Sequence, residues 1–152
     1  MARRVIYTEH GGPEVLTLVD GDVPEPGPGQ VRVRVQAAGL NPVDWKTFRG
    51  GGMYGATLPS GVGNDFAGVI DALGAGVTGF EPGDAVYGGA RHQAEADYLV
   101  IDAEKLLHRP AGLSLEQAAG LDIVGRTAIA SVRAIEVVPG DVVFVSAAAG
   151  GV

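Results

Sequence analysis

Apolar and polar residues alternate with a period of two along Val31-Arg32-Val33-Arg34-Val35-Gln36-Ala37, which predicts a strand with one buried and one solvated face. Residues 5–7 and 16–19 bracket Gly11-Gly12-Pro13 and predict an opening hairpin-like pair. Residues 66–73, 84–87 and 98–101 continue the pattern, separated by Gly74-Ala75-Gly76 and Gly88-Gly89. Short strands divided by turn residues predict a mainly β fold with short helices, closed partly into a barrel.

Three helices interrupt this pattern. Asn41-Pro42 opens one, with Asn as cap and Pro at the first helical position, and the glycines at 50–52 end it. Ser114-Leu115-Glu116-Gln117 reads as a capping box. The third is predicted over residues 123–135, and its low charge predicts burial around most of its circumference. After Val138-Pro139-Gly140-Asp141 the character changes. Val142-Val143-Phe144-Val145 is continuously apolar, as in a parallel strand covered on both faces.

Composition narrows the classes of function. Apolar residues make up 46% and charged residues 19%, so the chain can bury a core. The net charge of −7 argues against a nucleic-acid partner, which needs clustered Lys and Arg. No segment approaches the roughly 20 apolar residues that span a bilayer, and residues 1–12 carry no apolar run of signal-peptide length, so a cytoplasmic protein is expected. Cysteine is absent, and His10, His92 and His108 are scattered, so no ligand set for a catalytic zinc is expected.

Several motifs, in their order and spacing, resemble those of the medium-chain dehydrogenase/reductase superfamily. They are His10-Gly11-Gly12-Pro13-Glu14-Val15-Leu16, Ala38-Gly39-Leu40-Asn41-Pro42-Val43-Asp44, Leu58-Pro59 with Gly63-Asn64-Asp65-Phe66-Ala67-Gly68, Gly74-Ala75-Gly76-Val77, Pro82-Gly83-Asp84-Ala85-Val86-Tyr87, and the terminal Ala148-Ala149-Gly150-Gly151-Val152. Within the superfamily the chain resembles the zinc-independent, zeta-crystallin-like quinone oxidoreductases and enone reductases. The resemblance implies a GroES-like catalytic domain over residues 1–122. Residues 123–152 are then a connecting helix with the first strand and glycine turn of an incomplete Rossmann domain, in the N-terminal part of a longer enzyme. On that reading the 152 residues alone bind no dinucleotide tightly, since the phosphate turn lacks its closing glycine and following helix.

The same resemblance implies NADPH as cofactor, a quinone or α,β-unsaturated carbonyl as small-molecule substrate, no metal, and a homodimer. Asn41 and Lys46 are its catalytic candidates. Asp44, Trp45 and Tyr54 are expected at the substrate pocket, and Asn41, Thr127, Ala148, Gly150, Gly151 and Val152 at the cofactor. Lys46 would donate to the substrate oxygen, where a fixed donor is worth about 3 kcal/mol. Each residue also has a plainer reading. Asn41 and Asp44 suit a helix N-terminus, helical spacing turns Lys46 toward solvent with Arg49, Trp45 and Phe48 suit a core, and Thr127 can bond back to its own helix. Asn64 and Asp65 stand where zinc relatives carry a His-Glu pair, and Asp65 reads as a structural hydrogen-bonder. Two other functions fit the motifs. An enoyl-thioester reductase would want a tyrosine where Trp45 stands, and a non-catalytic GroES-like binding module would use the final strand as an association edge.

Overall fold

The structure is a computed structural model that describes residues 1–50 and 55–152. Among the described residues, eight strands form two antiparallel sheets. The smaller contains β1 (Ala2–Tyr7), β2 (Thr17–Gly21) and β4 (Ser60–Gly61) in the order β2-β1-β4. The larger contains β3 (Gln30–Gly39), β5 (Asp65–Leu73), β6 (Ala85–Gly89), β7 (Tyr98–Asp102) and β8 (Leu106–His108) in the order β7-β3-β5-β6-β8. The sheets meet along β1. The Val5 amide donates to the Glu95 carbonyl at 2.9 Å and the Asp97 amide to the Arg3 carbonyl at 2.8 Å. The two sheets are thereby stitched together without completing a hydrogen-bonded ring.

Period-two alternation explains the main core. Val31 and Val33 project from β3 into a cluster with Phe66, Ile70, Val86, Leu99, Ile101 and Leu106, while Arg32 and Arg34 face outward or to the rim. Along β3 and β5 the register shifts at Arg32/Val33 and again at Val35/Ala37. Such shifts bend a strand pair and re-aim its ends. The pair ends with Gly39 opposite Asp65. A second cluster of Tyr7, Phe48 and Val62 lies under the smaller sheet, and a third of Ala67, Ala118 and Ala119 seats a helix on the larger one.

Helix α1 (Pro42–Phe48) begins at Asn41 and α2 (Leu115–Ala119) at Ser114, as the cap residues predict. Ser114 Oγ accepts from the Gln117 amide and Gln117 Oε1 from the Ser114 amide, the reciprocal pair of a capping box. Helix α3 (Asp122–Ala134) matches its expected span but not its expected burial. Only Asp122 is buried; Ile129 and Val132 are exposed. The helix meets the sheets through β5 and β6 near its first turn, and most of the rest of it is exposed.

The expected strand at 142–145 does not form. Those residues have no ladder partner among the described residues, and Val142 and Phe144 are 99% and 90% exposed. A run of apolar residues becomes a parallel strand only beside a strand that accepts its amides and carbonyls. Here an apolar run without such a neighbour stays irregular.

Candidate functional site

The β3–β5 register brings three chain segments to one place: the loop into α1, the start of β5 and the first turn of α3. Gly39 is required for this approach. A Cβ there would run into the Ala119 carbonyl and lie 3.1 Å from Asp65 Cβ. Gly63, with φ of 82°, turns the chain into β5 so that Asn64 and Asp65 point inward.

Asp65 is 0% exposed and sits at the centre. Its Oδ2 accepts from Asn41 Nδ2 at 3.1 Å, and its two oxygens share the Ile123 amide at 3.2 and 3.3 Å. Beside it, Asp44 Oδ2 accepts from the Asn41 amide at 2.7 Å, which forms half of the α1 capping box, and Asp44 Oδ1 accepts a short bond from Asn64 Nδ2. Asp122 lies against Gly89, where any side chain would collide with its carboxylate, and accepts from Arg126 Nε at 2.7 Å. Thr127 Oγ1 donates to the Ile123 carbonyl at 2.6 Å. One connected network therefore runs from Asn41 through Asp65 and Ile123 to Thr127.

Burial pushes the Asp65 carboxyl above the usual aspartate range; the bonds from Asn41 and Ile123 oppose this, and the negative charges of Asp122 and Asp44 add to it. Glu95, whose side chain packs by Gly63, is pushed up by burial and then by Asp44. Half-buried His92 is held below the ordinary histidine value by burial and by the Arg91 charge. His92 and Glu95 line a cleft of about 300 Å³ with Arg4, Ser60 and Tyr98, which no residue of the network lines.

The residues expected at the site are brought together only in part. Asn41 and Asp44 belong to the network. Trp45 does not enter a core; it is 45% exposed, with the Lys46 ammonium 5.7 Å and the Arg49 guanidinium 5.1 Å from its ring centroid. Lys46 is half-buried rather than fully solvated, and Phe48 is buried, as its plainer reading expects. Tyr54 lies outside the described residues. Ala148, Gly150, Gly151 and Val152 are exposed in an irregular turn that folds back toward α3, where a Cβ on Gly151 would lie 3.3 Å from Val124 Cγ1. Asp122 joins this place without a motif of the sequence that nominates it. A carboxylate in the first turn of a predicted helix marks that position, but its fit against Gly89 depends on the sheet. Among the described residues, no three His, Asp or Glu side chains are grouped to hold a metal ion.

Residues 27–114 match the family described as the alcohol dehydrogenase GroES-like domain. The chain belongs to that family. The chain is similar over its whole length, at 43% identity, to a quinone oxidoreductase of Pseudomonas aeruginosa, of which it covers 47%. It is 35% identical, over 97% of its length, to the NADPH-dependent alkenal/one oxidoreductase of Arabidopsis thaliana chloroplasts, covering 41% of that protein. Among solved structures, the Escherichia coli quinone oxidoreductase complexed with NADPH superposes with a TM-score of 0.80 at 33% identity, over 86% of this chain and 40% of that one. The chain spans about half the length of the curated relatives it matches.

Proposed function

We propose that this GroES-like chain is the substrate-side portion of an NADPH-dependent oxidoreductase that reduces quinones or α,β-unsaturated carbonyls by hydride transfer. The observation that carries the reading is the Asn41–Asp65–Ile123–Thr127 network, in a chain whose relatives at 43% and 35% identity are named as a quinone oxidoreductase and an alkenal/one oxidoreductase. Residues 1–122 form the catalytic domain and 123–152 lead into the cofactor domain. The protein acts in the cytoplasm as a homodimer, and no metal takes part.

The residues suit the cofactor in part. Asn41 and the first turn of α3 are joined through one carboxylate, so an amide and a hydroxyl are held in a fixed relation beside an exposed glycine turn. Thr127 and Asn41 would hold the nicotinamide end, and residues 148–152 the phosphates, through backbone amides. NADPH, when bound, supplies the hydride. The chain itself orients the acceptor: exposed Trp45 offers a flat apolar wall, and the Lys46 ammonium over that ring supplies a donor for the acceptor's carbonyl oxygen. Binding the reactants in register lowers the barrier by removing their translational freedom beforehand.

The test joins residues 1–152 to the C-terminal half of the P. aeruginosa quinone oxidoreductase and follows NADPH oxidation with a benzoquinone and with an alkenal. Turnover is expected with at least one of them, and Lys46→Ala should lower kcat by roughly a hundredfold. A folded chimera that binds NADPH and reduces neither acceptor rejects the proposal. Turnover with an enoyl thioester alone would favour the thioester-reductase alternative. Tight NADPH binding by the 152 residues alone would contradict the division of labour between the two parts.

A further inference from the structure

Helix α3 has no cap of its own. The residue at its N-cap is Leu121, which makes no side-chain capping bond, so the amides of the first turn need an acceptor from elsewhere. That acceptor is the carboxylate of Asp65, which takes the Ile123 amide from 58 residues away in sequence. The same carboxylate takes Nδ2 of Asn41, itself the cap residue of α1. Two donors from two helix starts thus converge on one group, and a carboxylate, which accepts on both oxygens and donates on neither, suits them together. A buried acid is weak evidence for stability, because its desolvation offsets the bonds it makes. Orientation is the quality that two converging charge-assisted bonds provide.

We propose that Asp65 is a positioning residue for the reductase site: its buried carboxylate fixes the Asn41 amide relative to the first turn of α3, and so sets Asn41 and Thr127 in one frame. The inference rests on the proposed reductase reading for its purpose, but the coupling itself is a property of these 152 residues. Asp65 touches neither substrate nor cofactor in this scheme. Its neighbours do, and their spacing depends on it. In Asp65→Asn, one of the two oxygens becomes an amide nitrogen, which faces a donor instead of accepting from it. With that nitrogen toward Asn41, the Asn41 amide loses its acceptor; with it toward Ile123, the Ile123 amide keeps only the oxygen it shares with Asn41. The reciprocal exchange Asn41→Asp with Asp65→Asn restores a donor–acceptor pair between the two positions while leaving an oxygen for Ile123.

Two measurements test this. In the 152-residue chain, hydrogen exchange should quicken at least tenfold at either the Asn41 side-chain amide or the Ile123 amide in Asp65→Asn, and the Ile123 amide should exchange near the parent rate in the reciprocal double variant. Unchanged exchange at both amides in the single variant, or quickened Ile123 exchange in the double, overturns the coupling. In the chimera, Asp65→Asn should lower kcat by roughly 10- to 100-fold, and adding it to Asn41→Ala should cost well under the product of the two single losses, since one of the two residues it relates is already gone. Multiplicative losses overturn the positioning role while leaving the reductase reading intact. A wild-type chimera that binds NADPH and reduces no acceptor overturns the reductase reading, and amide exchange then decides the coupling alone.

Discussion

Gly39 and Asp65 face each other across the β3–β5 pair, and each sets a limit on what the site tolerates. Gly39→Ala would drive a methyl into the Ala119 carbonyl, with the Asp65 side chain behind it. A loss of about 1–3 kcal/mol is expected from such overpacking, read as a lower urea midpoint with an unchanged slope. Asp65 gives a pH dependence of definite sign. Its folded pKa lies above the unfolded one, so the native state binds the extra proton and the contribution of Asp65 to stability falls as pH rises. The window opens at the ordinary aspartate value, about 4, and closes above the raised one. The stability advantage of the parent over Asp65→Asn should therefore shrink across that window in urea titrations at stepped pH; a difference that grows with pH would contradict it. The Asp97 carboxyl behaves oppositely, since the Arg3 side chain and amide lower it, and its contribution is lost only as pH falls below the usual range. That pair is exposed and contributes little.

At the scale of elements, burial separates residues whose sequence patterns look alike. Phe66 is wholly buried between the sheet and its neighbours, and Phe66→Ala should cost about 3–5 kcal/mol. Ile129, equally apolar, lies on the exposed side of α3, and Ile129→Gln should shift stability by less than about 0.5 kcal/mol. Denaturant midpoints of the two variants decide the matter. The strands and the caps at Asn41 and Ser114 were legible in sequence because they depend on local chemistry: period two for β3, and a side-chain oxygen at the right offset for the helix starts. The exposure of α3 and the failure of 142–145 to pair were not, because an apolar residue says that it can be buried and never by what. The same limit applies at the site. Asn41 and Asp44 announced themselves through the motif and the cap, whereas the acceptor for Ile123 came from a distant strand that no local pattern could nominate.

Over the whole molecule, apolar exposure is uneven. The two sheets enclose most of their large apolar side chains, Leu18 and Leu107 excepted, while Ile129, Val132, Ile135, Val138, Val142, Phe144 and Val145 lie exposed in the last quarter of the chain. Exposed apolar side chains in such number promote association, and the net charge of −7 opposes it only through screened repulsion. The chain should self-associate with rising concentration and salt in sedimentation experiments, and Phe144→Lys should reduce that association without moving the denaturant midpoint. A strictly monomeric parent at high salt would refute this. The long-range cap on α3 also bears on the order of events in folding. Ile123 has no acceptor until Asp65 is set by the β3–β5 pairing, so the helix start must wait for a contact spanning much of the chain. Pulse-labelling during refolding should find the Ile123 amide shielded no earlier than those of β5, making the last helix a latecomer whose arrival is timed by the central strands.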